Sequence, residues 1–324
     1  MHKKGISMLL IVCPNPSLDC FATPTPTGIS VYREIAGGSG INVGRSLRQL
    51  DTKIKVVAPL GGFNGYHVRR LLKAEGLPTR TLMGPINTRQ TCYTTRSQHV
   101  TFGNSASPEE RTLTLEDIYF EGENPQGYAT FTKTLIPYFK KAHTVLFCGA
   151  LPPHFPSDSY AMWCRMIENP DTSIYMDTPG QTLSATLAHP DVRLTGIKIN
   201  RHEWEAWTGV GFSTESFPQQ SAAAAHRIAH IVVTDGPNPI MGYHQGRQIS
   251  CRPLVFSDTQ DPGYSVGSGD AFMAGFVWGL AHQKLSETEA LQAGTLAAAH
   301  HYFNKPLSRR YLRSHLNHVE VASL

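Results

Sequence analysis

The strongest constraint on the fold is a rhythm. Six short apolar runs, "LLIVC" (9–13), "IKVVAPL" (54–60), "TVLFCGAL" (144–151), "SIYMD" (173–177), "LTGIKIN" (194–200) and "HIVVTDG" (230–236), are spaced through the chain. Between and after them lie helical patterns: Ile41–Leu50, Tyr66–Glu75, Tyr128–Lys141, Ser157–Glu168, Gln181–Ala188, His202–Trp207, Pro218–His230, Asp270–His282 and Ser286–His301. Strands buried on both faces read as continuous apolar runs, and parallel neighbours need a crossover helix between them. The pattern predicts an α/β fold with a mostly parallel central sheet. The 324 residues are read as one domain. Ligands of such sheets gather beyond the carboxyl ends of the strands, and nearly every candidate motif directly follows a run.

Two regions break the rhythm. Residues 20–36 are rich in Thr and Pro, and residues 88–127 alternate polar and apolar ("TRQTCYTTRSQHVTFG") before turning acidic. Both have β-like stretches and neither holds a long helix before Tyr128. They predict a small β-lid over the main domain.

Several function classes are disfavoured. The formal charge is only +4, with no Lys/Arg-rich run, so no nucleic-acid partner is expected. The six cysteines form no C-x-x-C pair and are expected as reduced, mostly buried thiols. No apolar run reaches the roughly 18 residues of a membrane span. The start, "MHKKGISMLLIVC", leads into "PNPSLD" without a small-residue cleavage site. It reads as a first buried strand, and the chain as cytoplasmic.

The motifs each carry a chemical and a plain reading. In "GSGDAFMAGF", Gly267, Ser268 and Gly269 precede Asp270 where a helix begins. Unpaired N–H groups and the helix dipole make that point an anion site, and Asp270 beside it is a candidate base. The plain reading is an acid stabilised near a helix N-terminus. In "AGGSGINVGRSL", Gly37, Gly38 and Gly40 permit close backbone approach to a ligand, with Asn42 in the next turn; otherwise this is only a strand-to-helix connection. A dinucleotide fingerprint would follow the first strand directly, and this motif does not. Asp19 in "NPSLD" is either an acceptor for sugar hydroxyls or a turn aspartate. Arg89 in "TRQT" is either a phosphate clamp in the lid or an exposed strand arginine. In "KINRHEW", Lys198, Asn200 and Glu203 suit Mg²⁺ held by Glu203 through water, and equally a capping box. Thr234 and Gly236 in "VVTDGPNP" face nucleotide phosphates or form a Gly-Pro turn.

Together these pieces resemble the ribokinase-like family, the PfkB sugar kinases. "NPSLD", "GGSGIN", "GGFNG", "TRQT", "GALPP", "MDTPGQTL", "KINRHE", "TDG" and "GSGDAFMAGF" follow the family's order from about Leu9 to about residue 300. "NPSLD", "GGSGINV", "TRQT" and "DTPGQTL" are most similar to the 1-phosphofructokinase and tagatose-6-phosphate kinase branch. The resemblance implies a three-layer α/β/α sandwich, a β-lid that also forms a homodimer contact, and MgATP-dependent phosphorylation of a sugar hydroxyl. It implies Asp270 as catalytic base and Gly267, Ser268 and Gly269 as the anion hole. Asn200 and Glu203 would organise Mg²⁺ and phosphates with Lys198 nearby, and Thr234 and Gly236 would fall in the ATP loop. Asp19, Gly37, Gly38 and Asn42 match the acceptor-contacting region, and Arg89 matches the arginine that meets the acceptor's own phosphate.

The sequence also departs from the branch. Ser39 replaces the lysine of G-G-K-G-I-N, Ala150 and His154 replace the serine and last glycine of G-S-L-P-P-G, and Pro237 follows Gly236. The first two changes remove a cation and a hydroxyl near the acceptor, while Arg89 and Arg33 supply cations. The expected activity is ATP-dependent phosphorylation of a ketohexose phosphate: fructose 1-phosphate, fructose 6-phosphate or tagatose 6-phosphate. The rivals are a kinase of an unphosphorylated sugar or nucleoside, and a non-catalytic sugar- or nucleotide-sensing paralogue.

Overall fold

Alternation within the first apolar run sets the layering. In strand β1 (Met8–Val12), Leu9 and Ile11 join one buried cluster, Leu10 and Val12 a second. Successive side chains point to opposite faces of a sheet, so both faces of β1 are covered. A fully buried Leu, Ile or Val contributes roughly 1.5–3 kcal/mol, and β1 spends almost every residue this way.

The computed structural model describes residues 8–25, 28–94, 125–254 and 266–323. Its further strands are β2 (Ser17–Thr25), β3 (Gly28–Gly37), β4 (Ile54–Gly61), β5 (Thr79–Gly84), β6 (Arg89–Thr94), β7 (Ala142–Cys148), β8 (Ser173–Asp177), β9 (Leu194–Asn200), β10 (Ile228–Asp235), β11 (Asn238–His244), β12 (Arg247–Cys251) and β13 (Val321–Ser323). The main sheet runs β13-β12-β11-β10-β9-β8-β7-β1-β4-β5. From β10 to β5 every pairing is parallel, and β11, β12 and β13 extend one edge antiparallel. Helices Ser39–Gln49, Gly62–Glu75, Ser268–Val277 and Glu287–Tyr302 bring Ile41, Leu72, Phe272 and Leu296 to the first cluster. Helices Pro125–Phe139, Ser159–Arg165, Arg201–Thr208 and Ser216–Ala224 bring Phe131, Trp163, Trp204 and Phe217 to the second. This is the expected three-layer α/β/α arrangement. All six cysteines are free and buried, and no helix among the described residues is long and apolar enough to cross a membrane.

Some expectations are corrected. The helix expected over Pro218–His230 stops at Ala224, and Ile228 already opens β10. Arg227 explains the stop, because its guanidinium donates to the carbonyls of Leu187, His189 and Val192 and pins the chain between the two elements. The helix expected over Asp270–His282 is α-helical only to Val277; Trp278–Gln283 form a π-helical turn, closed by Lys284 at φ 57°. The antiparallel edge β11 to β13 lies outside the expected pattern: β11 buries only Ile240–Tyr243 in a row, β12 mixes polar and apolar residues and β13 has three residues, each too short a trace to stand out along the chain.

Strands β2, β3 and β6 form a separate small sheet, in the order β3-β2-β6. The strands expected within 20–36 and 88–127 are therefore present, but β2 begins at Ser17 and the helix Pro125–Phe139 takes the last residues of the second region. Residues 95–124, with most of the acidic segment, lie outside the described residues.

Candidate active site

Two helices start at the carboxyl edge of the main sheet without a side-chain cap. Gly38 precedes Ser39–Gln49 at φ 101°, and Gly267 precedes Ser268–Val277 at φ 88°. These backbone angles favour glycine over any residue with a Cβ. The helices Arg201–Thr208 and Glu287–Tyr302 carry capping boxes, Asn200–Glu203 and Ser286–Glu289, whereas Gly62–Glu75, Ser159–Arg165, Gly180–Leu187 and Ser216–Ala224 also start without a side-chain cap. What sets the starts at Gly38 and Gly267 apart is the group of polar side chains beside them. The first-turn N–H groups of the two bare helices are left for another partner. Ser268 Oγ is buried with no hydrogen-bond partner among the described residues, a polar group suited to a phosphoryl oxygen.

Asp270 lies in the first turn of its helix and does not cap it. Instead Asn42 Nδ2 donates to Asp270 Oδ2 at 2.8 Å, and the Ser39 hydroxyl also bonds the carboxylate. Burial pushes the Asp270 pKa up to about 7, helped by the charge of Asp177 and opposed by Lys198, Asn42 and Ser39. A carboxyl poised near neutrality is what a general base needs. The nearby thiols are not rivals for that role: burial holds Cys13 at about 11 and Cys148 well above its usual range.

Lys198 and Asp177 form a buried pair beside this centre. Lys198 Nζ sits 3.2 Å from both Asp177 carboxylate oxygens. The residues are 7% and 6% exposed. Burial works against the Lys198 charge, but Asp177, Glu203 and Asp270 outweigh it and hold its pKa above the usual lysine value. A Cβ added to Gly269 would lie 2.8 Å from Lys198 Nζ, so the cation stands beside Gly269 at the helix start. Asp177 was missed in the sequence. The available signal was an acid closing the apolar run "SIYMD".

Asn200 and Glu203 realise the capping box: Asn200 Oδ1 accepts from the Glu203 N–H at 2.9 Å, and Glu203 Oε2 from the Asn200 N–H at 2.8 Å. Burial raises the Glu203 pKa, and Lys198 opposes it. One carboxylate oxygen is committed to the cap and the second remains suited to a water-bridged cation. Thr234 pairs with Asn200 on the next strand, and Gly236, at φ 55°, turns the tight β10–β11 hairpin. The plain turn reading of "TDGP" is therefore correct as structure, and nothing stands within 4 Å of a Cβ built on Gly236.

A second group gathers around the small sheet. Asp19 is a strand residue of β2, not the turn aspartate considered from the sequence. It is 3% exposed and accepts from Ser17 Oγ at 2.5 Å. Burial raises its pKa, against Ser17, Arg89 and Arg45. A Cβ on Gly37 would come within 2.1 Å of the Asp19 carboxyl, and one on Gly40 within 2.5 Å of Cys13 Cβ. These glycines thus admit the protein's own side chains, where close approach of a ligand was the expectation. Arg89 opens β6, donating to Thr91 Oγ1 at 3.0 Å and to the Asn15 carbonyl at 3.4 Å. It borders a cavity of about 250 Å³ whose walls include Asn15, Asn87, Thr88, Thr130 and His154.

A bare helix start with a near-neutral carboxyl and a buried lysine, at the edge of a three-layer α/β sheet, is the build of a phosphoryl-transfer enzyme. Residues 25–301 match the pfkB family carbohydrate kinases, and the chain belongs to that family: it is a carbohydrate kinase, a phosphotransferase. It is 28% identical over 273 residues to a 1-phosphofructokinase of Xanthomonas campestris, covering 83% of this chain and 80% of that one. It is also 28% identical to a 1-phosphofructokinase of Haloferax volcanii, covering 90% of both. Among solved structures, the tetrameric inhibited form of phosphofructokinase-2 from Escherichia coli superposes with a TM-score of 0.77 at 21% identity, over 96% of this chain and 99% of that one.

Proposed function

We propose that this kinase transfers the γ-phosphoryl group of ATP to a hydroxyl of a ketohexose phosphate, with fructose 1-phosphate as the first candidate. The observation that carries the reading is Asp270, held by Asn42 at an uncapped helix start with a pKa near neutrality. Relatives named 1-phosphofructokinase support the acceptor class.

Asp270 takes the proton of the acceptor hydroxyl as that oxygen attacks the γ-phosphorus. The N–H groups of Gly267, Ser268 and Gly269, with Lys198 beside Gly269, stabilise the negative charge on the transferring group. Asn200 and Glu203 hold Mg²⁺ through water; when bound, the ion neutralises charge on the phosphate oxygens. Thr234 and Gly236 border the nucleotide. Asp19, Gly38 and Asn42 orient the acceptor, Gly37 makes room for the Asp19 carboxyl, and Arg89 grips the acceptor's existing phosphate. The small sheet acts as the lid that excludes water, and as the contact between two copies.

Ser39 favours a second acceptor class. Its hydroxyl is engaged with Asp270, so the position supplies no cation for an acceptor phosphate, and an unphosphorylated sugar is the alternative. A panel of sugars and sugar phosphates, followed by ADP release, tests both readings. Under the main reading Arg89→Ala raises KM about 10- to 100-fold for phosphorylated acceptors only, the loss of one charge-assisted clamp. An unchanged KM for every phosphorylated acceptor, with turnover of a neutral sugar, overturns it in favour of the second.

A further inference from the structure

The hydrogen bonds around Asp270 continue beyond its direct partners. Asn42 meets Asp270 through Nδ2. A side-chain amide turned over about its last bond presents its oxygen instead, and an oxygen facing a carboxylate repels it. Something must therefore select the orientation. Arg45, one helical turn on, donates Nη1 to Asn42 Oδ1 at 2.9 Å. A guanidinium only donates, so Asn42 must offer it the oxygen and keep the nitrogen for Asp270. Arg45 is fixed in turn. Its Nε and Nη2 bond the two Glu75 carboxylate oxygens, each at 3.0 Å, and Nη2 also reaches the Ala36 carbonyl at 2.8 Å. Glu75 is the last residue of the helix Gly62–Glu75. The pair's side chains are each 30% exposed, and as a stability element such a pair counts for little.

We propose that Arg45 and Glu75 are positioning residues for the catalytic base: they lock the Asn42 amide with its nitrogen toward Asp270, and so keep the base ionised in the working pH range. The inference rests on the reading of Asp270 as base. Other groups act on the same carboxyl. Ser39 bonds it from the Asn42 helix, Asp177 closes β8, Lys198 lies on β9, and Cys13 and Cys148 follow or close β1 and β7. His301, from the helix Glu287–Tyr302, bonds the Val266 carbonyl just ahead of the helix start. Among the described residues none of these hydrogen-bonds Asn42 Oδ1, which accepts from Arg45, so none replaces Arg45 in selecting the amide orientation.

The test is the pH profile of kcat/KM. Arg45→Met should move the limb set by the base upward by about one pH unit, the scale expected when a hydrogen bond to the charged form is lost. At pH 7 the rate falls about fivefold to tenfold, and the difference closes by pH 9. Glu75→Gln, which leaves Arg45 bonded to Asn42 and Ala36, shifts the limb the same way by less, and serves if Arg45→Met does not fold. Arg45→Met added to Asn42→Leu should cause no further shift, because the route through the amide is already gone. A uniform loss of rate at all pH values in the folded single variants overturns the proposal, as does an undiminished shift in the Asn42→Leu background, which would mark a through-space charge effect. If Asp270→Asn turns over normally, the base assignment itself fails; if that variant is inactive and the Arg45→Met profile overlays the wild type, only the positioning role fails.

Discussion

Asp270→Asn should lower kcat by about 10²- to 10⁴-fold, the range associated with losing a general base, while the affinity for nucleotide stays within a few-fold of wild type. Asparagine keeps the size of the side chain and its place in the first helical turn, and it cannot take the proton. The wild-type kcat/KM should rise with pH through an apparent pKa near 7, where burial places the carboxyl, and that limb should vanish in the variant. Stability moves the other way. The folded pKa lies above the ordinary aspartate value of 3.8, so the ionised wild type loses stability as pH rises from about 4 through about 7. The variant escapes that loss, which is at most about 4 kcal/mol for a shift of this size. Its melting temperature should exceed the wild type's at pH 8 by more than at pH 5. Near-normal ADP release from the variant would remove Asp270 from the mechanism.

The sequence made the layering legible because both-face burial leaves a one-dimensional trace. Leu9 to Val12 is a continuous apolar run, and its alternate residues enter different clusters. The site was legible where chemistry and local structure share a few consecutive residues: Gly267 to Asp270 at a helix start, Asn200 and Glu203 in one cap. It was not legible where strand register brings residues together. Met176 pairs with Ile197 across β8 and β9, which sets Asp177 beside Lys198, and no spacing along the chain announces that. The same holds for Gly37, whose missing side chain makes room for Asp19, and for Arg45 and Glu75, joined across thirty positions. Ser39 is the instructive case. As a residue it reads as the loss of a lysine; in the structure it is one of the groups that lower the pKa of Asp270 against burial.

Lys198→Met should separate the structural from the catalytic role of the buried pair. Removing the cation leaves Asp177, 6% exposed, without its partner at 3.2 Å. Breaking a buried pair from one side costs about 3–5 kcal/mol, which for a chain of this size lowers the melting temperature by about 4–7 °C. The unpaired carboxyl is driven toward its neutral form, so its folded pKa rises and the deficit deepens as pH climbs from the ordinary carboxylate range through neutrality. Lys198→Met combined with Asp177→Leu removes both charges and should recover most of the lost stability, since an apolar replacement of both partners is often neutral. Activity should not return with it. Lys198 stands beside Gly269, where the proposed mechanism puts the growing negative charge, and loss of one such electrostatic contact would lower kcat by about 10²- to 10³-fold. The missing cation also leaves Asp270 harder to ionise, which moves the rising limb of the pH profile upward. Thermal melts and ADP-release kinetics on the two variants give the answer: a double variant that folds and turns over like wild type would reduce Lys198 to a structural residue, and one that folds but stays slow places its charge in the transition state.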